Sequence, residues 1–339
     1  MDKADKSRRA FLRTSAGMAL AASGAPLATL APSGSAWAQA GDYPNKPIRV
    51  IVPFPPGSAT DIAMRLLEPV MTRVLGQGFV IDNRSGASGA IGADLGKRAA
   101  PDGYTILMDA ASSHSVLGAM RPTTLPYNIL TDFTAIGRAC TSANVVAVNP
   151  KLPIRNLKEL IEYSKAQPQG LSFAAGGGAA SNRLAGELLA LRGAKLTHVP
   201  YVNLNQAITD TAAGNVPVII YTVSLLPFIR DGRLRGIATF SEKRLSQEPS
   251  MPTAVEQGID VVAMSWFGLF GPAKLPIPIR DRLYNALREA INDPTVNKKL
   301  IDAGLEPALL NPAETDAFVE KDMAKWKEVV RLAKVPLEE

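Results

Sequence analysis

The feature that most constrains this fold is a repeated order of short β-branched runs, small-residue turns and amphipathic stretches. Residues 48–54 form an apolar run that predicts a buried strand, and Pro-Pro-Gly at 55–57 predicts a turn. Ser58 and Asp61 then match a capping box, which predicts that a helix starts at this point. Further strands are predicted at 79–82, 104–108, 144–148, 171–174, 216–221 and 235–239, with one ending at 198–201, and further helices at 156–166, 279–291 and 314–333. Strands that alternate with helices predict parallel sheets with helices on both faces.

Residues 1–40 predict an export signal instead of a folded segment. Arg8 and Arg9 precede a weakly apolar, alanine-rich stretch, and small-x-small cleavage patterns follow at 36–38 and 38–40. The stretch is too mild and too broken by prolines for a stable transmembrane helix. It resembles a bacterial twin-arginine signal, so we expect a cleaved leader and a soluble periplasmic protein. A basic tail with a chance arginine pair is the alternative.

Charge and composition exclude several classes of function. Residues 1–40 carry half of the formal charge of +6, and the remaining +3 is too small to indicate nucleic-acid binding. Cys140 is the single cysteine, so an intrachain disulfide cannot form, and with two histidines a Cys/His zinc site is excluded. Residues 57–61 lack the Gly-Lys-Ser/Thr ending of a phosphate loop, and the glycines of 86–92 have the wrong spacing for a dinucleotide. We therefore predict no cofactor and no metal.

A hydrolase would need a nucleophile elbow or a triad. The Gly-x-Ser-x-Gly pattern is absent from the sequence, and His114 and His198 are the only imidazole bases. His198 lies in a strand pattern, where a structural role is expected, whereas His114 lies on a polar loop where it could line a cleft. Cys140 lies in an apolar stretch, so we expect an inert buried thiol. We expect no catalysis, and a secreted α/β hydrolase is kept as the less favoured alternative.

The loops at the predicted strand ends favour ligand binding. Small residues fill 56–60, 111–114 and 176–181, and ligands of open α/β sheets bind beyond the carboxyl ends of the strands. The first amides of a helix are unpaired and favour an anion. Two such loops, one in each α/β unit, could hold a carboxylate from two sides.

Motifs along the whole chain resemble one family. They are P-x-K-P-I-R-x-I-V-P-F-P-P-G-x-x-x-D at 44–61, N-R-x-G-A-x-G at 83–89, P-D-G-Y-T at 101–105, V-P-Y at 199–201, P-T-x-x-E-x-G at 252–258 and G-x-x-x-P at 268–272. Their order resembles the Bug-type (Bordetella uptake gene) receptors, the periplasmic solute-binding proteins of tripartite tricarboxylate transporters.

The resemblance implies an α/β, two-domain Venus-flytrap fold of the type II periplasmic binding-protein kind, each domain a mixed, mostly parallel sheet flanked by helices. Domain 1 would comprise 41–142 and 262–339, and domain 2 would comprise 143–261. The implied activity is to bind a small carboxylate by hinge closure and to deliver it to membrane permease subunits. The implied receptor is a monomer. A receptor that reports to a signalling partner is the alternative.

The resemblance also implies a ligand site by position. Its residues are Phe54, Gly57, Ser58, Ala59, Thr60, Asp61, Ser112, Ser113, His114, Ala175, Gly177, Ala179, Ala180, Ser181, Tyr201, Val202 and Asn203. The second loop departs from the family pattern, because Ala175, Ala179 and Ala180 stand in place of a serine, a glycine and a hydroxyl residue, and Arg183 in place of a histidine. Because hydroxyl donors are lost from this loop, we hypothesise that the end of the ligand farther from its carboxylate is less polar or compatible with amides.

Overall fold

The computed structural model describes residues 43–336, so the predicted leader lies outside the described residues. The strands are β1 (Ile48–Val52), β2 (Phe79–Asn83), β3 (Thr105–Ala110), β4 (Phe133–Val148), β5 (Leu171–Ala175), β6 (Leu196–Pro200), β7 (Val218–Thr222), β8 (Arg235–Thr239), β9 (Met264–Pro272) and β10 (Glu306–Leu310). The helices are α1 (Ala59–Leu75), α2 (Ala90–Lys97), α3 (Leu117–Met120), α4 (Leu157–Ala166), α5 (Ser181–Leu191), α6 (Leu204–Ala213), α7 (Leu226–Arg230), α8 (Ile277–Asn292), α9 (Pro294–Asp302) and α10 (Pro312–Leu332).

The strands form one mixed sheet in the order β2-β1-β3-β9-β4-β7-β5-β6, with β8 and β10 also paired to β4. We call β2, β1, β3, β9, β10 and the first part of β4 the first half-sheet, and the end of β4 with β7, β5, β6 and β8 the second half-sheet. Parallel pairing joins β1 to β2 and β3, and β5 to β6 and β7. The pairings of β4, and that of β3 with β9, are antiparallel. Parallel βα units thus occupy the outer part of each half-sheet, and antiparallel strands connect them.

Strand β4 belongs to both half-sheets. It pairs with β9 as far as Ala143, opposite Met264, and with β7 from Asn144, opposite Thr222. The sequence predicted only residues 144–148 as a strand. The earlier part contains Gly, Ala, Cys, Thr and Ser and lacks a β-branched run. Small residues fit there because neighbouring strands enclose β4. A Cβ on Gly137, for example, would lie 3.0 Å from the carbonyl oxygen of Leu310 on β10.

Apolar faces of the helices cover the half-sheets. Helices α1 and α8 pack together over the first half-sheet in a core that includes Met64, Leu67, Met71, Leu283 and Leu287. These residues recur at the spacing of one helix face. Among the described residues, no helix is both long and apolar enough to cross a bilayer.

Candidate functional site

A cleft of about 510 Å³ opens where the chain leaves β1, β3 and β7. It has the size of a small-molecule site. Its lining is Phe54, Ser58, Ala59, Thr60, Ile62, Ala110, Ser112, Ser142, Ser181, Thr222, Val223, Ser224, Leu226, Pro227, Arg230, Gln247, Ser265, Phe267, Asp302, Ala303, Gly304 and Leu305. Both half-sheets contribute, and Ser142 on β4 and Ser265 on β9 lie near the point where these strands cross between the halves.

The N-terminus of α1 forms one wall of this cleft. Gly57 turns the chain with φ +80°, and Ser58 is the N-cap, whose Oγ accepts a hydrogen bond from the Asp61 amide. The amides of Ala59 and Thr60 come first in the helix and therefore have no carbonyl acceptor within it. Both residues lie in the cleft lining, at the positive end of the helix dipole, which favours an anion.

The buried carboxylate of Asp61 stabilises the start of α1 through hydrogen bonds. Its carboxylate accepts hydrogen bonds from the Gly57 amide at 2.9 Å, from Arg65 Nε at 2.8 Å and from Asn83 Nδ2 at 3.0 Å. The side chain is buried, and burial alone would raise its pKa, but the hydrogen bonds from Arg65, Gly57 and Asn83 hold the pKa below its usual range. The predicted cap is present with a variation, because the carboxylate binds the amide of Gly57 and not that of Ser58.

The N-terminus of α5 forms the facing wall. Ala180 is the N-cap and supplies no side-chain acceptor, so the amides of Ser181, Asn182 and Arg183 have no cap. Ser181 lines the cleft. The preceding loop is fixed by Asn182, whose Oδ1 accepts from the Gly176 amide at 3.1 Å, and by Arg183, which donates to the Gly178 carbonyl at 3.1 Å. The first residues of two helices from different half-sheets thus line one cleft.

The corner after β3 supplies Ala110 and Ser112 to the cleft and is stabilised by buried polar contacts. The carboxylate of Asp109 accepts hydrogen bonds from the Ser113 hydroxyl and from the backbone amide of Ala110. Residues 112–116 form a π-helical turn. Ser115 Oγ in this turn donates to Asp322 Oδ2 on α10 at 2.5 Å, which anchors the corner to that helix.

His114 lies within the protein and outside the cleft lining. Its Nδ1 is 2.8 Å from Asp109 Oδ2, and its ring stacks on Phe270 with the centroids 4.5 Å apart. Ser113 also bonds to Asp109 and not to the imidazole, so the three side chains do not have the nucleophile–base–acid order of a hydrolase triad. Asp109 and His114 act as supports for the Ser112 corner.

His198 and Cys140 are also structural. His198 Nε2 lies 3.1 Å from the Gly176 carbonyl, and burial lowers its pKa. The Cys140 thiol is fully buried on β4, and burial raises its pKa to about 12. Both placements agree with the sequence-based interpretation of a structural histidine and an inert thiol.

The second half-sheet adds an apolar surface after β7. Val223, Leu226 and Pro227 line the cleft here, and Gly304, in the turn after α9, comes close to Val223. A Cβ on Gly304 would overlap Val223 Cγ2, and its φ of +81° also requires glycine. The α9–β10 turn therefore closes one side of the cleft against the second half-sheet.

The two charged side chains of the described cleft lining, Arg230 and Asp302, each form an ion pair with a nearby residue. Arg230 Nε lies 3.1 Å from Glu248 Oε2, and its Nη2 donates to the Gln247 carbonyl at 2.6 Å. Asp302 is 2.6 Å from Lys298 Nζ. A hydrogen bond from Ser250, followed by that from Arg230, lowers the pKa of Glu248, so Arg230 faces an ionised carboxylate.

The structure brings some of the predicted site residues together and places others elsewhere. Phe54, Ser58, Ala59, Thr60, Ser112 and Ser181 line the cleft. Gly57, Asp61, Ser113, His114, Ala175, Gly177, Ala179, Ala180, Tyr201, Val202 and Asn203 do not belong to its lining. Ala175, which stands in place of a family serine, is buried, and Ala180, which stands in place of a hydroxyl residue, is half-buried and outside the lining. Asn203 instead caps α6, and Tyr201 donates to Asp210 at 2.9 Å.

Sequence reasoning missed the rest of the lining. It comprises Ser142 with Ser265 and Phe267, the segment Thr222–Arg230, the turn Asp302–Leu305, and Ile62, Ala110 and Gln247. Thr222-Val-Ser224 follows the carboxyl end of a predicted strand. Because ligands of open α/β sheets bind beyond these ends, the sequence could have indicated this segment. Ser142, Ser265 and the α9–β10 turn lie outside the quoted motifs, and their place in the cleft depends on long-range pairing. Within residues 43–336 no group of three metal-ligating side chains occurs.

The fold and the cleft define a periplasmic binding-protein architecture, and comparisons with known proteins agree. The family model described as the tripartite tricarboxylate transporter family receptor matches residues 63–334. The chain is 34% identical over 292 residues to the protein BugT of Bordetella pertussis, covering 85% of this chain and 90% of that protein. The chain belongs to the tripartite tricarboxylate transporter receptor family, as the motifs predicted.

Solved structures show the same architecture. A structure described as a periplasmic transporter has a TM-score of 0.75 and 36% identity, and covers 87% of this chain and 100% of that one. A Rhodopseudomonas palustris protein solved with adipate has a TM-score of 0.74 and 28% identity, over 86% of this chain and 99% of that one. MatC from the same organism, solved with bound malate, has a TM-score of 0.70 and 27% identity, over 85% and 100%. The predicted two-domain Venus-flytrap fold is confirmed.

Proposed function

We propose that the protein is a periplasmic solute receptor whose ligand carries a carboxylate, bound in the cleft between the two half-sheets. The observation that carries this proposal is the meeting of two helix N-termini, those of α1 and α5, at one cleft. Binding of malate and adipate by two structural relatives supports the same ligand class.

The carboxylate is bound by backbone amides and hydroxyls. The amides of Ala59 and Thr60 reach it from the first half-sheet, and that of Ser181 reaches it from the second. Hydroxyl groups of Ser58 and Ser112 lie in the same lining and add donors. Hydrogen bonds to an ionised acceptor are the stronger ones, so a carboxylate gains more here than its amide does.

Two domains close on the ligand by bending where β4 and β9 pass between the half-sheets. We propose the boundary in β4 between Ser142 and Ala143, next to the point where its partner changes from β9 to β7. The return crossing lies between Val261 and Val262, just before β9 begins at Met264. Closure that brings α5 toward α1 would complete the amide set only when ligand is present.

Export, partners and assembly complete the proposal. Residues 1–40 direct the chain to the periplasm by a twin-arginine-type signal and are then removed. The liganded monomer delivers its ligand to the permease subunits of the transporter, in line with the family's description.

A thermal-shift screen tests this function. The purified protein is heated with mono-, di- and aromatic carboxylates and, as matched controls, with their amides. At about 100 times its dissociation constant a ligand stabilises the fold by roughly 2.7 kcal/mol, which gives a clear rise in Tm. A carboxylate that raises Tm where its amide does not is expected, and equal responses to acid and amide would contradict the proposal.

A further inference from the structure

A buried carboxylate on α10 joins two of the elements that line the cleft. Asp322 Oδ2 accepts hydrogen bonds from Ser115 Oγ at 2.5 Å and from Trp266 Nε1 at 2.9 Å. Lys325 Nζ, one turn further along α10, lies 2.6 Å from the other oxygen, Oδ1. One carboxylate thus holds the corner after β3 through Ser115 and strand β9 through Trp266.

Both of these donors lie next to residues of the cleft lining. Ser115 is in the π-helical turn that begins at Ser112, and Trp266 lies between Ser265 and Phe267 on β9. Ser112, Ser265 and Phe267 all line the cleft. Because successive side chains of a strand point to opposite faces, the indole of Trp266 points into the core while its two neighbours point to the cleft.

The corner and β9 are also bonded to each other. The Ala111 amide donates to the Trp266 carbonyl at 3.0 Å, and Ala110 at the end of β3 lies opposite Phe267. Since both hydrogen bonds to Asp322 end on the same carboxylate oxygen, this oxygen holds the two segments together on the side away from the cleft. Removing it releases the corner and the strand at once.

Helix α10 also packs against α5, which begins at Ser181 in the facing wall of the cleft. Trp326 of α10 is fully buried in a core that includes Leu184 and Leu188 of α5. The position of α10 therefore affects both walls, and Asp322 is the residue through which this helix holds the corner and β9.

From these contacts we infer that Asp322 is a positioning residue for ligand binding. It lies outside the cleft lining and acts through Ser115 and Trp266, which place Ser112 and Ser265 against the ligand. This role rests on the proposed function, because it assumes that the ligand binds in the cleft that Ser112 and Ser265 line. Without the acceptor, two buried donors lose their partner, and the segments that carry them shift to find another.

Calorimetric titration with adipate, malate and hexanoate tests this role. Asp322→Leu removes the acceptor and is expected to weaken binding at least about tenfold, whereas Asp322→Asn keeps one acceptor oxygen and should stay within about threefold of the unmodified protein. All titrations are made where circular dichroism shows a folded protein, so that a loss of global stability alone does not change the affinity.

Asn149→Leu is the matched control. Asn149 is a buried side chain of the second half-sheet that donates to the Thr211 and Ala212 carbonyls, outside the cleft lining. This variant should lose stability and keep its affinity. Unchanged binding by Asp322→Leu, or equal losses in Asp322→Leu and Asp322→Asn, overturns the role of Asp322 but leaves the proposed function standing. Failure of the unmodified protein to bind all three probes and the carboxylate screen counts against the proposed function itself.

Milder variants test the same role if Asp322→Leu does not fold. Ser115→Ala and Trp266→Phe each remove one donor to Asp322, and each should weaken binding of the same probes. In the Asp322→Asn background their effects should be smaller than in the unmodified protein, because the three side chains act as one network. Full-sized, independent effects in both backgrounds would show that Ser115 and Trp266 do not act through Asp322.

Discussion

Glu306 accepts two hydrogen bonds from Ser246, one from its amide at 2.9 Å and one from its hydroxyl at 2.8 Å. Glu306 begins β10 in the first half-sheet, and Ser246 lies in the loop that follows β8 of the second half-sheet. The pair thus joins the two halves of the molecule beside the turn in which Gly304 meets Val223. This contact therefore contributes to the stability of the arrangement in which the two half-sheets meet.

Replacing Glu306 by alanine removes both hydrogen bonds. We expect the free energy of unfolding to fall by about 1 kcal/mol, since a solvent-accessible bond contributes in this range. Urea unfolding of Glu306→Ala is compared with that of Glu289→Ala, which removes an exposed carboxylate paired with its neighbour Arg288. Equal losses in the two variants would mean that the Ser246 contact contributes nothing.

Asp61→Asn tests the support behind the α1 wall. The amide cannot accept from Gly57, Arg65 and Asn83 as the carboxylate does, so the free energy of unfolding at pH 7 should fall by about 1–3 kcal/mol. The pKa of Asp61 is lower in the folded chain than in the unfolded one. Its ionised form therefore stabilises the fold above about pH 4, and this contribution is lost as the pH falls through the folded-state pKa.

The measurement is urea unfolding of both proteins at pH 7 and in steps down to the acid limit of folding. The difference between Asp61→Asn and the unmodified protein should shrink toward acid pH. A difference that stays constant with pH would show that the Asp61 charge does not contribute to stability.

Ser58→Phe tests the position of the site. A phenyl group at the N-cap fills the cleft beside Ala59 and Thr60, so carboxylate binding should be lost in calorimetry while the protein stays folded. Ser58→Ala is the matched control, because it removes the same hydrogen bond from the Asp61 amide and costs about 1 kcal/mol of stability without filling the cleft. Unchanged binding by Ser58→Phe would place the site elsewhere.

The Cys140 thiol should be unreactive in the folded protein. It is fully buried and its pKa is raised to about 12, so the nucleophilic thiolate is scarce and inaccessible. A colorimetric thiol reagent should detect no thiol in buffer and one per chain in denaturant, since the sequence has one cysteine. Rapid reaction in buffer would contradict the placement of Cys140 within β4.

Much of the fold could be predicted from the sequence where local signals agree with tertiary packing. Strands β1 and β8 and helices α8 and α10 were predicted nearly to their ends. Strand β10 was missed because Pro307 interrupts a five-residue run, and proline is tolerated there only because the strand lies at an edge. Helix α9 was missed although Asp293 as N-cap and Pro294 as the first helical residue give a usable start signal.

The site was less predictable than the fold. Of the predicted site residues, Ser58, Ala59, Thr60 and Ser181 lie in the cleft lining, at helix N-termini that follow small-residue loops. Ala175, transferred from the family as a site position, is the last residue of β5 and is buried, since side-chain direction depends on pairing with neighbouring strands. Residues 302–305 line the cleft through the contact of their turn with Val223, which is distant in the sequence, and no local pattern predicts such a contact.

The most direct test of carboxylate binding in the cleft is an amide NMR titration with hexanoate and with adipate. We predict that the amide signals of Ala59, Thr60 and Ser181 move together and saturate with the ligand, as they form hydrogen bonds to one carboxylate. The amide of Gly170, in the turn before β5 and outside the cleft lining, serves as the control and should not move. Binding that leaves the three cleft amides unchanged would contradict the central claim.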